Sequence, residues 1–150
     1  KIIHRNVTPQ NILRRSQDKA CLLGDLMLAK AMEGTLALQV TMPGQLVGDV
    51  AYMSPERTRS GASVDHRSDI YSLGYTMYEM ATGTQPFSPV TPLERVYKEP
   101  RPIKESDGIS ETFAATIMRC LNKNPQERFQ NGDELFNALS GLTNNTNSNN

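Results

Sequence analysis

Residues 4–13 read His4-Arg5-Asn6-Val7-Thr8-Pro9-Gln10-Asn11-Ile12-Leu13 and set an imidazole, a guanidinium, several amides and a hydroxyl at close intervals. Such side chains can move protons, contact anions or ligate cations, but alone they also describe any solvated loop. Three further segments follow in order: Gly24-Asp25-Leu26-Met27-Leu28-Ala29-Lys30, Gly48-Asp49-Val50-Ala51-Tyr52-Met53-Ser54-Pro55-Glu56, and Asp65-His66-Arg67-Ser68-Asp69-Ile70-Tyr71-Ser72-Leu73-Gly74. Four ordered segments at these spacings are hard to obtain by chance, and they lift the first above an ordinary loop.

With these segments in place the chain resembles the eukaryotic-like serine/threonine protein kinases. The bacterial members, which read H-R-D-L-K-P-x-N-I-L, D-F-G-L-A-K, G-T-P-A-Y-M-S-P-E and D-x-R-S-D-I-Y-S-L-G, are especially similar. The match runs over 1–139 and covers the C-terminal lobe, beginning just before the catalytic loop. No two glycines are separated by a single residue, so a G-x-G-x-x-G loop is absent, and no V-A-I-K strand supplies a phosphate-binding lysine. The expectation is a chain without an N-terminal lobe, and hence without half of a nucleotide site.

Residue by residue, the resemblance gives Asp25 the role of the magnesium-binding aspartate and Asn11 that of the second magnesium ligand. Two hard oxygen donors alone hold magnesium weakly. Mg2+ and ATP are therefore expected only if a full domain binds nucleotide, and neither is expected to bind tightly to this chain alone. Asn6 stands where the family has its catalytic aspartate, and an amide cannot take the substrate proton. General-base catalysis typically contributes about 10²- to 10⁴-fold, so that much of the rate is expected to be lost. Thr8 replaces the loop lysine that neutralises the transferring phosphoryl group. Asp49 stands at the activation-segment threonine, adding a negative charge beside the phosphate path. Met27 replaces the hinge glycine of D-F-G, restricting positive-φ conformations. Leu26 for phenylalanine is milder.

The structural residues of the family pattern are all present. Glu56 and Arg128 match a buried ion pair that ties the activation segment to the last helices. Asp69 matches an aspartate that accepts hydrogen bonds from the catalytic-loop backbone, while His4 and Arg5 match that loop's structural residues. His66 is expected at the surface before a helix. In the family the Arg5 position can also pair with a phosphate on the activation segment, for which Thr35, Thr41 and Ser54 are candidate acceptors. Hydroxyls in polar loops are usually only solvated, so none of the three is singled out.

These residues need elements to hold them. Residues 1–13 alternate short apolar pairs with polar residues around Pro9, which fits a loop feeding a short strand. A charged turn over 14–19 and a brief apolar run over 20–23 complete a small hairpin. Over 31–53 there is no period, and Gly34, Pro43, Gly44 and Gly48 mark a long, adaptable loop. Over 68–82, Ile70, Leu73, Met77, Met80 and Ala81 recur at helical spacing while Tyr71, Tyr75 and Tyr78 widen the apolar surface. A largely buried helix is expected there, capped by Ser68 or Asp69 and closed by Gly83. Prolines then break the chain around a short helical piece at 93–98. A helix over 110–121 opens on a Ser110 cap with Phe113, Ile117 and Leu121 on one face, and another over 131–139 buries Leu135 and Leu139.

The architecture expected is mainly α: a helical kinase C-terminal lobe over 1–142 with a small β-hairpin at the catalytic loop, then a disordered Asn-rich tail over 143–150. Because the C-terminal lobe normally packs against the other lobe, an apolar surface near Ile2, Ile3, Ile12 and Leu13 should be exposed. Lysine plus arginine equal aspartate plus glutamate at 16 each, so no net field draws the chain to nucleic acid or an acidic membrane. The charge-free stretch 34–48 is too broken by polar residues, glycine and proline to insert into a bilayer. Cys21 and Cys120 lie far apart without C-x-x-C spacing and are expected to be reduced core residues of a cytoplasmic protein. Three functions remain open: an impaired kinase, or pseudokinase, that binds or regulates a protein partner; an active serine/threonine kinase acting on protein substrates, with its N-terminal lobe outside this chain; or a truncated product without a role.

Overall fold

The structure, a computed structural model, describes residues 2–26, 49–58, 63–87, 91, 94–104 and 107–146. Outside these lie most of the expected long loop, with Met27, Thr35 and Thr41, and the last four positions of the expected tail.

Two short strands open the fold. β1 (Ile12–Arg14) pairs antiparallel with β2 (Cys21–Leu23), setting Ile12 opposite Leu23 and Arg14 opposite Cys21. The connecting turn is closed by the Arg15 N–H on the Ala20 carbonyl at 2.8 Å, with Lys19 in the left-handed region at φ 62°. Asp18 braces it by accepting from the Arg15 guanidinium at 2.8 Å and from the Ala20 N–H at 3.1 Å. A two-stranded ribbon this short cannot enclose a core. Cys21 is accordingly exposed, which corrects the expectation that both cysteines are core residues; Cys120 is buried.

α1 (Arg67–Thr82) runs through the centre and contributes to both apolar clusters. Tyr71, Tyr75 and Tyr78 recur at i, i+4 and i+7, which places them on one face. They pack with Tyr52, Phe87, Ile117 and Leu121, and the Tyr52 ring meets Tyr75 edge-on at 5.0 Å. Met80 does not join them: it is 68% exposed, because it sits about 200° around the cylinder from Tyr78. The N-cap is His66 and makes no side-chain capping bond, so neither Ser68 nor Asp69 caps the helix; both side chains are engaged across the fold. Gly83 closes the other end in the left-handed region, its N–H on the Glu79 carbonyl at 2.8 Å.

α2 (Glu111–Cys120) starts on Ser110, whose Oγ accepts from the Phe113 N–H, and it buries Ile117. It crosses α1 so closely that a Cβ built on Gly74 would lie 2.4 Å from the Cβ of Cys120. α3 (Gly132–Thr146) begins where Asn131 Oδ1 accepts from the Glu134 N–H at 2.8 Å. Leu135 joins a second cluster with Ile70, Cys120 and Phe129, and Leu139 packs against it partly buried. The backbone of α3 continues to Thr146, so residues 143–146 are helical and not part of an unfolded tail. The piece expected at 93–98 is a single 3-10 turn, Glu94–Val96.

Between the hairpin, α1 and α3 lies an apolar groove of about 510 Å³ whose walls include Val7, Ile12, Leu22, Ile70, Leu135 and Phe136. Ile2 and Leu13 are exposed, while Ile3 and Ile12 are half-buried.

Candidate functional site

The loop at 4–11 is held from below by α1. Both carboxylate oxygens of Asp69 accept from its backbone, Oδ2 from the His4 N–H and Oδ1 from the Arg5 N–H, each at 2.8 Å. The fork fixes two successive amides, and between them the chain turns through Arg5 at φ 69°, a left-handed conformation that needs such support. His4 is buried, its Nδ1 facing the Asn6 N–H at 3.3 Å and its Nε2 the Gly24 carbonyl at 2.8 Å. One tautomer, protonated on Nε2 alone, satisfies both contacts and ties the loop to the end of the hairpin. Further along, the Thr76 hydroxyl of α1 donates to the Val7 carbonyl at 3.3 Å.

Pro9 then sets a 3-10 turn, Pro9–Asn11, which aims Asn11 back at the loop. Asn11 Nδ2 donates to the Asn6 carbonyl at 2.8 Å, and its own carbonyl accepts from the Gly24 N–H at 2.7 Å. Asp25 follows at φ 58°, exposed. The Asn6 side chain spans the gap: Nδ2 donates to Asp25 Oδ2 at 3.4 Å, and Oδ1 accepts from the Asp49 N–H at 3.2 Å. Asn6, Asn11, Asp25 and Asp49 therefore form one connected cluster. Thr8 is withdrawn from the surface, 2% exposed.

A second constellation lies beneath. Arg128 Nη1 and Nη2 contact Glu56 Oε1 and Oε2 at 2.8 Å each, and the Ser68 hydroxyl donates to Oε1 at 2.6 Å. Burial pushes the Glu56 carboxyl up, but the Arg128 hydrogen bonds and charge, with Ser68, outweigh it and hold the group below its ordinary value. His66 is half-buried and faces the Gln130 carbonyl through Nε2 at 2.7 Å.

Arg57 was not singled out in the sequence. Its Nη1 donates to the Arg5 carbonyl at 2.5 Å, tying the Pro55–Thr58 turn to the left-handed residue of the loop. Burial, and then the nearby Arg5 charge, lower the affinity of this guanidinium for its proton, with Asp69 and Glu56 opposing. Its only sequence signal was its place directly after Glu56. Tyr52 also went unmarked; its hydroxyl donates to Glu79 Oε2 at 2.5 Å, and burial followed by that carboxylate pushes the phenol well above its usual range.

A family model for the protein kinase domain matches residues 1–138. The chain belongs to the protein kinase domain family. The serine/threonine-protein kinase PknB of Mycobacterium leprae is 38% identical over 139 residues, which is 89% of this chain and 22% of that protein. A "Probable serine/threonine-protein kinase" of Clostridium acetobutylicum is 35% identical over 149 residues, 96% of this chain and again 22% of the relative. The chain thus spans about a fifth of the length of these relatives and carries part of a kinase domain, helical with a small sheet. Among the described residues of this kinase domain no helix is long and apolar enough to cross a membrane.

Proposed function

We propose that this chain is part of a serine/threonine kinase domain that has lost most of its phosphoryl-transfer chemistry and serves as a protein-binding or regulatory module. The observation that carries this reading is Asn6. It stands where kinases of this family place the carboxylate that orients the substrate hydroxyl and takes its proton, and its Oδ1 is already accepting from the Asp49 N–H. A carboxamide has no basic oxygen at neutral pH, so the roughly 3 to 5 kcal/mol of barrier lowering that positioned general-base catalysis contributes is missing. Thr8, buried in place of the loop lysine, supplies no positive charge to the phosphoryl group either.

The magnesium question turns on donors. Asn11 spends its Nδ2 on the Asn6 carbonyl and keeps its Oδ1, and Asp25 offers an exposed carboxylate. These two hard oxygens fit a magnesium ion only as part of a shell of about six, the rest coming from water and nucleotide phosphates. No group of three or more His, Cys, Asp or Glu that could hold a metal ion occurs among the described residues. When bound with nucleotide, the cation would neutralise charge on the phosphates; the chain's contribution is to place Asn11 and Asp25 on a loop fixed by Asp69.

A second reading, an active kinase, is favoured by that same fixed loop, since phosphoryl transfer depends largely on positioning and electrostatics. A radiolabelled phosphate-transfer assay on the full-length gene product separates the two. Weak or absent transfer is expected, and robust turnover that vanishes in Asp25→Ala would overturn the impaired-kinase reading.

A further inference from the structure

Every polar group of Asn6 is engaged. The backbone N–H faces His4 Nδ1, the carbonyl accepts from Asn11, Oδ1 accepts from the Asp49 N–H, and Nδ2 donates to Asp25 Oδ2. The two side-chain contacts fix the orientation of the amide. Flipping it would set an oxygen against the Asp25 carboxylate and an NH2 against the Asp49 N–H, and both contacts would be repulsive. One carboxamide therefore spans from the end of the hairpin to a segment reached only after a long excursion of chain.

The charges around it sharpen the point. Asp25 lies on one side, and Asp49, whose own carboxylate accepts from the Ala51 N–H at 2.9 Å, on the other. Asn6 is a neutral side chain between two acidic residues, donating to the Asp25 carboxylate and accepting from the Asp49 N–H. An aspartate at this position would set an anionic oxygen about where Nδ2 is now, 3.4 Å from Asp25 Oδ2. Two carboxylates at that separation repel unless a cation or a proton is shared between them. An N–H, by contrast, cannot ligate a cation at all, and it draws on the oxygen that a cation would use.

We propose that Asn6 is a positioning residue: the two ends of its carboxamide bind the Asp25 carboxylate to the Asp49 backbone, and this link makes the local structure independent of divalent cations. The proposal deepens the impaired-kinase reading and rests on it for the identity of the site, but its test reads stability and not phosphate transfer. The Asp25 backbone is held at φ 58°, a left-handed conformation that aspartate, like asparagine, enters more readily than other side chains because its short polar side chain can hydrogen-bond locally.

The test is a double-mutant cycle on the full-length protein, read by thermal and urea unfolding with and without millimolar manganese(II). Without cation, Asn6→Asp is expected to raise the unfolding equilibrium constant by about ten-fold, the size typical of losing a hydrogen bond to a charged group and gaining a like-charge contact. Manganese(II) should restore most of that loss while leaving the wild type unmoved. Asp25→Asn alone should change little, since asparagine tolerates the left-handed backbone best among non-glycine residues. The exchanged pair Asn6→Asp with Asp25→Asn should recover the wild-type value without any cation, because the donor and acceptor have merely traded places.

Recovery in the exchanged pair, together with a manganese response confined to Asn6→Asp, supports the link. The proposal is overturned if the wild type gains as much from manganese(II) as Asn6→Asp does, or if the exchanged pair is as unstable as the sum of its single changes. Should Asn6→Asp fail to fold, the exchanged pair still decides. A folded, cation-insensitive double variant is the expected result, and its failure to fold counts against the link. Brisk phosphate transfer by the wild type would sink the impaired-kinase reading and leave this cycle unaffected.

Discussion

Arg128 has no exposed surface, yet all five of its N–H groups find acceptors. Nε donates to the Asn122 carbonyl, Nη1 to Glu56 and the Arg67 carbonyl, and Nη2 to Glu56 and the Lys123 carbonyl. The guanidinium also lies over the Tyr71 ring, 4.9 Å from its centroid. A buried charge satisfied this fully is costly to break, because deleting one partner strands the other. Arg128→Ala is expected to lose about 3 to 5 kcal/mol in urea unfolding, and Arg128→Lys a good part of that, since an ammonium cannot reproduce the planar fork. Acid should expose the same pair. The folded Glu56 carboxyl lies below its ordinary value of 4.5, so the unfolded chain binds more protons there, and the stabilisation is fully present above about that pH. It fades as pH falls through the lower folded value. The stability gap between wild type and Glu56→Gln should therefore be widest near neutrality and narrow below pH 4.5, which urea midpoints across a pH series will measure. At this scale the sequence named residues better than contacts. Asn6, Asn11 and Asp25 could be marked from their motifs, but nothing in the order of residues says that the Asp49 N–H returns to Asn6 Oδ1, since the intervening stretch has no period to fold from.

Among the elements, the hairpin and the three helices were readable because each carries its own local signal: apolar spacing in α1, a Ser110 cap on α2, and Gly83 at a helix end. The errors have local causes too. Ser68 and Asp69 look like caps by residue type, yet Ser68 donates to Glu56 and Asp69 accepts from the loop, so tertiary partners claimed both. Residues 143–146 looked too polar to fold, but asparagine and threonine cost a helix only about 0.5 kcal/mol each, and adding a turn to an existing helix needs no new nucleus. The crossing of α1 and α2 was invisible in the sequence. Gly74 in mid-helix reads as a weakness worth about 1 kcal/mol, and the structure supplies the reason for it: the Cys120 Cβ occupies the space a side chain would need. Gly74→Ala is expected to destabilise the protein by about 1 to 3 kcal/mol despite alanine's better helix propensity, because no rotamer relieves a clash between two Cβ atoms. Thermal unfolding will show it, with partial recovery in Gly74→Ala/Cys120→Gly.

For the molecule as a whole, composition and motif order were enough to anticipate a mainly helical kinase lobe with one small hairpin, while the apolar groove beside that hairpin emerges only when β2, α1 and α3 come together. The close seat of Cys120 under Gly74 has a use at this scale. Burial drives its thiol up to about 12, against the pull of the Arg119 and Arg128 charges, so almost no thiolate exists at neutral pH. Cys21 stands open on the hairpin. A maleimide pulse followed by peptide mass spectrometry should find Cys21 capped at once and Cys120 only in the fraction of molecules whose helices have parted; equal capping of the two in native buffer would contradict the seal. The chain thus carries a fast internal standard and a slow reporter of its own breathing, so the free energy of opening can be read in crude extract without an attached dye.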